Sequence, residues 1–190
     1  MSASLLRTER TILLPLSAAD LDEVGALYSS DDVMELVDGG RRTRDQTKSS
    51  LAAAERCWRA EGWGLWAIRY SETGGLIGVA GLQHLFDVEG APVAFGFMIA
   101  QRYWESGHAT EASHVVLNDA WDRFTGRLIH SVCHIYPQEW SMMVNVLEFL
   151  CDTEIQECGF SAHELATGYA LLQEPEATLA PFMVPRGSAQ

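Results

Sequence analysis

The stretch QRYWESGHATEA, residues 101–112, combines the features of an anion cradle. An apolar run ends at Ile99, a short polar loop holds Gly107, and a helical pattern begins near Ala109. The first turn of a helix carries unpaired amide N–H groups and the positive end of the helix dipole. An anion placed there is stabilised without any cationic side chain. Gly107 lets the main chain approach closely or take a positive φ, and Arg102 can add one charge-assisted contact. The amides in reach belong to Ser106, Gly107, His108, Ala109 and Thr110, with His108 offering its main chain rather than its ring. Glu105 stands in the middle of the loop, where an anion least favours a carboxylate. Turned into water, that charge is well screened beyond about 10 Å at moderate salt. By itself, a glycine before a helix is also what an ordinary turn looks like.

Three further side chains could move protons. Glu139 lies near the start of a later helical pattern, where it suits a general base or simply complements the dipole. Ser141 could protonate a leaving group or cap the same helix. His134, at the end of a strand-like run, could be a base, a substrate contact or a plain sheet residue. His130 and His134 with Cys133 do not make a metal site. Residues four apart on a strand are separated by about 13 Å, and Cys133 faces the opposite side. The cysteines (Cys57, Cys133, Cys151 and Cys158) show no CxxC and no finger spacing, so reduced, packed thiols and no metal are expected.

The elements that must position these groups are legible from pattern. Residues 8–15 (TERTILLP) alternate as an opening strand. Ser17 to Asp20 forms a capping box with Asp in place of the usual Glu or Gln, and a helix to about Ser29 follows. Thr43 to Gln46 is a second box, opening a helix through about Glu61. The runs 64–70, 76–86 and 91–100 read as three strands joined by the turn segments SETGG and DVEG, an antiparallel meander. A helix over about 109–124 carries apolar groups at Ala109, Ala112, Val116 and Ala120. A strand over 128–136 and a helical face of Met143, Val146, Leu147 and Leu150 come next, then strands near 153–158 and 166–172. The order β-α-α-β-β-β-α-β-α-β-β argues one α/β domain over residues 1–174 with a mixed sheet, and an irregular tail over 175–190.

Composition narrows the class. The chain has 190 residues, 47% hydrophobic and 21% charged, an ordinary globular balance. No apolar run approaches the roughly 20 residues of a membrane span, and the first residues lack a secretory core, so a cytoplasmic protein is expected. The net charge is −13, of which residues 101–190 supply −8 from twelve acidic and four basic groups. Such a field repels nucleic acid and anionic membrane and attracts cations, amines among them. Arg41, Arg42 and Arg44 form a small basic cluster that either caps a helix in solvent or meets an acidic partner. Trp66 suits the core or the wall of an acceptor pocket, and Trp104 suits packing.

Several of these motifs, in order, resemble the GNAT acetyltransferase superfamily, in particular its branch of ribosomal-protein N-terminal acetyltransferases. TERTILLPLSAADLDEV is similar to that branch's first strand and helix, and GLWAIRYSETGGLIGVAGL to its second and third strands. QRYWESGHATEA resembles its pyrophosphate loop, R-x-x-G-x-G followed by x-A-T-E-A, and LEFLC the stretch before its last strands. The likeness covers about residues 7 to 172. It implies a mixed, largely antiparallel six- to seven-stranded sheet flanked by about four helices and splayed between strands four and five. It implies acetyl-coenzyme A as co-substrate, its diphosphate on the amides of residues 106–110 and its pantetheine arm along the fourth strand near Met98 and Ile99. The acceptor implied is a primary amine, a protein N-terminus or a small cationic metabolite, and relatives often pair through their sheets as dimers.

The sequence departs from that pattern at three places. Glu105 replaces the first glycine of the loop. The fourth strand has Ala94 and Phe95 where some relatives place a glutamate base. The Asn and Ser of a P-x-N-x-x-S pattern are absent in either register: Trp140 and Met143 counting back from Val146, Glu139 and Met142 counting forward from Pro137. Two readings therefore stand: an N-acetyltransferase, and a non-catalytic binding or regulatory module on the same fold.

Overall fold

The computed structural model describes residues 5–34, 40–84, 93–123, 128–134, 155–158 and 166–172, with side chains as far as Asp119. The expected opening strand is a hairpin of two, β1 (Leu6–Arg7) and β2 (Thr11–Pro15), with Leu6 opposite Leu13. Its turn is closed locally: the Thr8 amide donates to Thr11 O at 2.9 Å, and the Thr11 amide to Thr8 Oγ1 at 2.9 Å. Threonine hydroxyls that bond nearby main chain stop the alternation from running through as one strand.

After β2 come α1 (Leu21–Tyr28), a short α2 (Asp31–Met34) absent from the sequence reading, and α3 (Arg44–Glu61). The meander is β3 (Leu65–Tyr70), β4 (Leu76–His84) and β5 (Val93–Ile99), so the expected fourth strand is β5. Then follow α4 (His108–Arg123), β6 (Leu128–His134), β7 (Ile155–Cys158) and β8 (Ala166–Leu172). The eight strands form one sheet in the order β1-β2-β3-β4-β5-β6-β8-β7. Every neighbouring pair is antiparallel except β5 with β6. The expected helix over 143–150 and the tail lie outside the described residues. No helix among the described residues is long and apolar enough to cross a membrane.

Both faces of the sheet are covered, which explains why β3 and β4 read as nearly unbroken apolar runs. Ile68, Leu82, Phe95 and Ile99 pack with Ala112, Val116 and Leu117 of α4 on one side. Ala67 and Val79 pack with Val24, Leu27, Met34, Leu51 and Ala54 of the earlier helices on the other. Trp66 is core: it is 1% exposed and meets Trp58 edge-on with ring centroids 4.7 Å apart. The indole N–H of Trp58 donates to Leu65 O at 2.8 Å and pins the end of α3 to the start of β3. Gly64 permits that approach, since a Cβ there would stand 2.7 Å from the Trp58 indole nitrogen.

Both capping boxes form as written in the sequence. The aspartate in the first has a second task. One Asp20 oxygen accepts the Ser17 amide at 2.9 Å, and the other accepts Arg69 Nη2 at 2.6 Å. Arg69 also reaches Glu23 at 2.8 Å, and Glu23 accepts the Leu76 amide at 2.9 Å. The start of α1 is thereby tied to β3 and β4 through a largely buried ion pair. Arg41 and Arg44 instead pair with Asp31 at 2.9 Å and Asp22 at 2.7 Å on the open surface, and Arg42 lies over the Tyr28 ring.

Removing one partner of a buried pair leaves the other uncompensated, at about 3–5 kcal/mol. Asp20→Ala should therefore lower stability by roughly 3 kcal/mol or more in a denaturant titration. Asp31→Ala, breaking an exposed pair, should change it by less than about 1 kcal/mol.

Candidate cofactor site at the start of α4

Pairing between β5 and β6 is confined to Ala94 with His130 and Phe95 with Ser131. Beyond Phe95 the two strands part, which is the expected splay. The main-chain groups that face this gap follow from alternation in the β4–β5 ladder. Ala100 N donates to Ile77 O at 2.8 Å, so Met98, two residues back and opposite Val79, belongs to the bonded set. Phe97 and Ile99 turn their amides and carbonyls the other way, toward the gap. The Ile99 carbonyl is already taken by the indole N–H of Trp104 at 2.7 Å. Trp104 is a half-exposed clip on the strand end rather than a packed residue. The side chains of Met98 and Ile99 lie in opposite core layers.

The chain leaves β5 through a 3-10 turn, Gln101–Tyr103, and a tight turn to His108. Arg102 is exposed, its guanidinium 5.0 Å from the Tyr103 ring centre. Glu105 has φ 56° and Gly107 has φ 80°. Glycine adopts that left-handed region freely, and other residues do so at a cost of order 1 kcal/mol. Glu105 is exposed, so its substitution for glycine adds backbone strain while the carboxylate stays in water.

The first amide of α4 with a main-chain partner is that of Glu111, to Gly107 O at 3.0 Å. Among the described residues, no group accepts from the amides of Ser106, Gly107, His108, Ala109 or Thr110. Five N–H groups without a partner among the described residues thus lie at the positive end of a 16-residue helix, beside the stretch of β5 that β6 does not pair. Such an arrangement can accept an anion at the helix start and an extended chain beside it.

A cation from outside the loop is bonded to it: Arg10, from the first hairpin's turn. Its Nε donates to Glu111 Oε2 at 2.7 Å, its main-chain N to Glu111 Oε1 at 3.0 Å, and its Nη1 to Ser106 O at 2.8 Å. Burial pushes the Glu111 carboxyl up, but hydrogen bonds from Thr8 and Arg10 and the Arg10 charge outweigh it, leaving it below the usual range. Sequence reasoning missed both residues, although each lies inside a motif singled out above, TERTILLP and HATEA.

His108 turns its ring inward. It is buried between Tyr70 and Tyr103, with ring centroids 5.9 and 5.4 Å away. Its Nδ1 meets Ser106 Oγ, which also bonds Tyr103 O, and its Nε2 has no partner among the described residues. Burial first, then the Arg10 charge, holds its pKa below the ordinary value, so the ring is neutral.

Of the proton-moving candidates, Glu139 and Ser141 lie outside the described residues. The main chain of His134 stands opposite Ala166 of β8. Counting on from the His130–Ala94 pair, its place is level with Met98 across the gap. Away from the loop, Cys57, Glu61 and His84 gather with their ligand atoms within 4.8 Å of one another, which their spacing did not suggest. Burial first, then the Glu61 charge, pushes the Cys57 thiol up to about 12. His84 Nε2 meets Glu61 Oε1 at 2.6 Å.

A family model described as an acetyltransferase (GNAT) domain matches residues 10–148. The chain belongs to the GNAT acetyltransferase family. It is an acyltransferase of the GNAT type, and acetyl-coenzyme A is its co-substrate. A GNAT-family protein of Bordetella pertussis superposes with a TM-score of 0.70 at 21% identity, covering 88% of this chain and 98% of that one. An acetyltransferase of Agrobacterium tumefaciens gives 0.69 at 23% identity, covering 91% and 96%. Spermidine N-acetyltransferase of Vibrio cholerae, solved with coenzyme A and spermine, gives 0.64 at 15% identity, covering 87% and 97%. A ribosomal L7/L12 α-N-protein acetyltransferase in complex with coenzyme A gives 0.66 at 11% identity, covering 89% and 98%. At these identities the likenesses establish the GNAT fold.

Two outcomes are expected for the loop. Glu105→Gly should relieve the left-handed strain and raise stability by up to about 1 kcal/mol, with coenzyme A affinity changed less than about threefold, by thermal unfolding and calorimetry. His108 gives a pH dependence. Its folded pKa is depressed, so between that value and about 6.5 the unfolded chain binds more protons. Its contribution is full above about pH 7 and is lost as pH falls through 6.5 toward the folded value. His114, also lowered by burial, adds in the same direction. The melting temperature of His108→Gln should therefore fall less between pH 7 and 5.5 than that of the wild type.

Proposed function

We propose that the chain transfers an acetyl group from acetyl-coenzyme A to a primary amine that is cationic before reaction, either a protein N-terminus or a small polyamine-like metabolite. The observation that carries the reading is the set of five free amides at 106–110 beside the unpaired half of β5. The diphosphate rests on those amides, and the pantetheine arm lies along the main chain of Phe97 and Ile99. The co-substrate supplies an activated thioester; the protein supplies position, which accounts for much of the barrier reduction in such transfers. A β5 amide facing the gap meets the carbonyl oxygen as charge develops on it.

The amine must lose a proton before it attacks. His134, level with Met98 across the gap, is the base we assign, with Glu139 as the alternative base and Ser141 as proton donor to the departing sulfur. Such groups typically contribute about 10²- to 10⁴-fold each, so loss of the usual Asn, Ser and strand glutamate slows transfer without abolishing it. The net charge of −13 favours a cationic acceptor. Two of the structural neighbours are named for a polyamine and for a ribosomal protein N-terminus, which supports both acceptor classes.

Calorimetry with coenzyme A, followed by thiol release from acetyl-coenzyme A over a panel of polyamines and N-terminal peptides, tests the proposal. Binding with turnover of one class is expected. Gly107→Asp should weaken binding at least tenfold, because its φ of 80° disfavours any side chain and its carboxylate would oppose the diphosphate. Binding without turnover across the panel would instead mark a non-catalytic module, and unchanged affinity in Gly107→Asp would place the diphosphate elsewhere.

A further inference from the structure

We infer that Arg10 is itself a ligand of the cofactor diphosphate, a role that rests on the assignment of the loop above. A guanidinium has five N–H donors in a planar fork. Here Nε is spent on Glu111 at 2.7 Å and Nη1 on Ser106 O at 2.8 Å. Nη2 makes no hydrogen bond among the described residues, and it stands 3.3 Å from where a Cβ on Gly107 would be. Its donors are thus held against the one residue of the loop that has no side chain, next to the free amides of Ser106 to His108. Arg10 is part-exposed, so an incoming anion can reach it.

The rest of the arginine is immobilised, as a preorganised donor requires. The Ser71 amide and hydroxyl donate to Arg10 O at 2.9 and 2.8 Å, fixing its main chain to the turn after β3. Glu111 accepts from both its main chain and its side chain. The charge balance needs Arg10 as well. Glu105 and Glu111 bring two carboxylates to a segment meant to hold a dianion, and Arg10 offsets the partly buried one.

The test compares coenzyme A with S-acetyl-pantetheine, which lacks the diphosphate. Arg10→Gln should weaken coenzyme A by about 10- to 100-fold in calorimetry, the range of a lost charge-assisted contact. The same variant should shift the S-acetyl-pantetheine affinity, measured by chemical-shift titration, by less than about threefold. The salt dependence of coenzyme A binding should also flatten relative to wild type. Arg10→Lys keeps the charge without the fork and serves if Arg10→Gln does not fold. It should lose part of the coenzyme A affinity and none of that for S-acetyl-pantetheine. Equal losses for both ligands would reduce Arg10 to a structural residue, and unchanged coenzyme A binding would remove it from the site. Wild-type protein that binds no coenzyme A would overturn the loop assignment along with this one.

Discussion

An α-helix begins with amide groups that its own main chain cannot pair, and this protein leaves them open at the place where one edge of β5 runs on past its last pair with β6. Everything else about the site follows from keeping those two deficits side by side. A buried, unpaired N–H is costly, so the open amides of Ser106 to Thr110 call for an anion or water. The gap beside Phe97 and Ile99 calls for an extended chain with its own donors and acceptors. Acetyl-coenzyme A has both in one molecule, a diphosphate followed by an amide-bearing arm.

Keeping the amides open requires that the turn before α4 be held from outside. Arg10 does this from the other end of the chain, bonding the Ser106 carbonyl and the Glu111 carboxylate. Trp104 clips the end of β5, and the neutral ring of His108 fills the space under the loop between two tyrosines. The loop tolerates Glu105 because it is exposed, although its backbone angle suits glycine.

The sheet supplies the frame. Helices cover both faces, and the Asp20–Arg69–Glu23 cluster locks α1 onto β3 and β4. The first helix is thus fixed to the two strands that precede β5. The parallel contact between β5 and β6 is only two residues long, which joins the two halves of the sheet and still lets them diverge.

Much of this was written locally. Ser17–Asp20 and Thr43–Gln46 announce helix starts because a side chain meets an amide two or three residues away. The runs after Gly62 announce buried strands because both sheet faces are covered. The loop with Gly107 announces an anion site because free amides belong to any helix start. What local pattern could not carry was decided by tertiary structure. Arg10 and Glu111 lie 101 residues apart in sequence, and nothing in TERT or ATEA says that they meet. Asp20 reads as a cap, and its second partner, Arg69, is known only once β3 lies beside α1. Arg102 is next to the loop by sequence, whereas Arg10 reaches the same loop only because the fold brings the first hairpin beside α4. Short-range hydrogen bonds and periodic burial are encoded within a few residues; which distant charge completes a site depends on how the sheet brings its strands together.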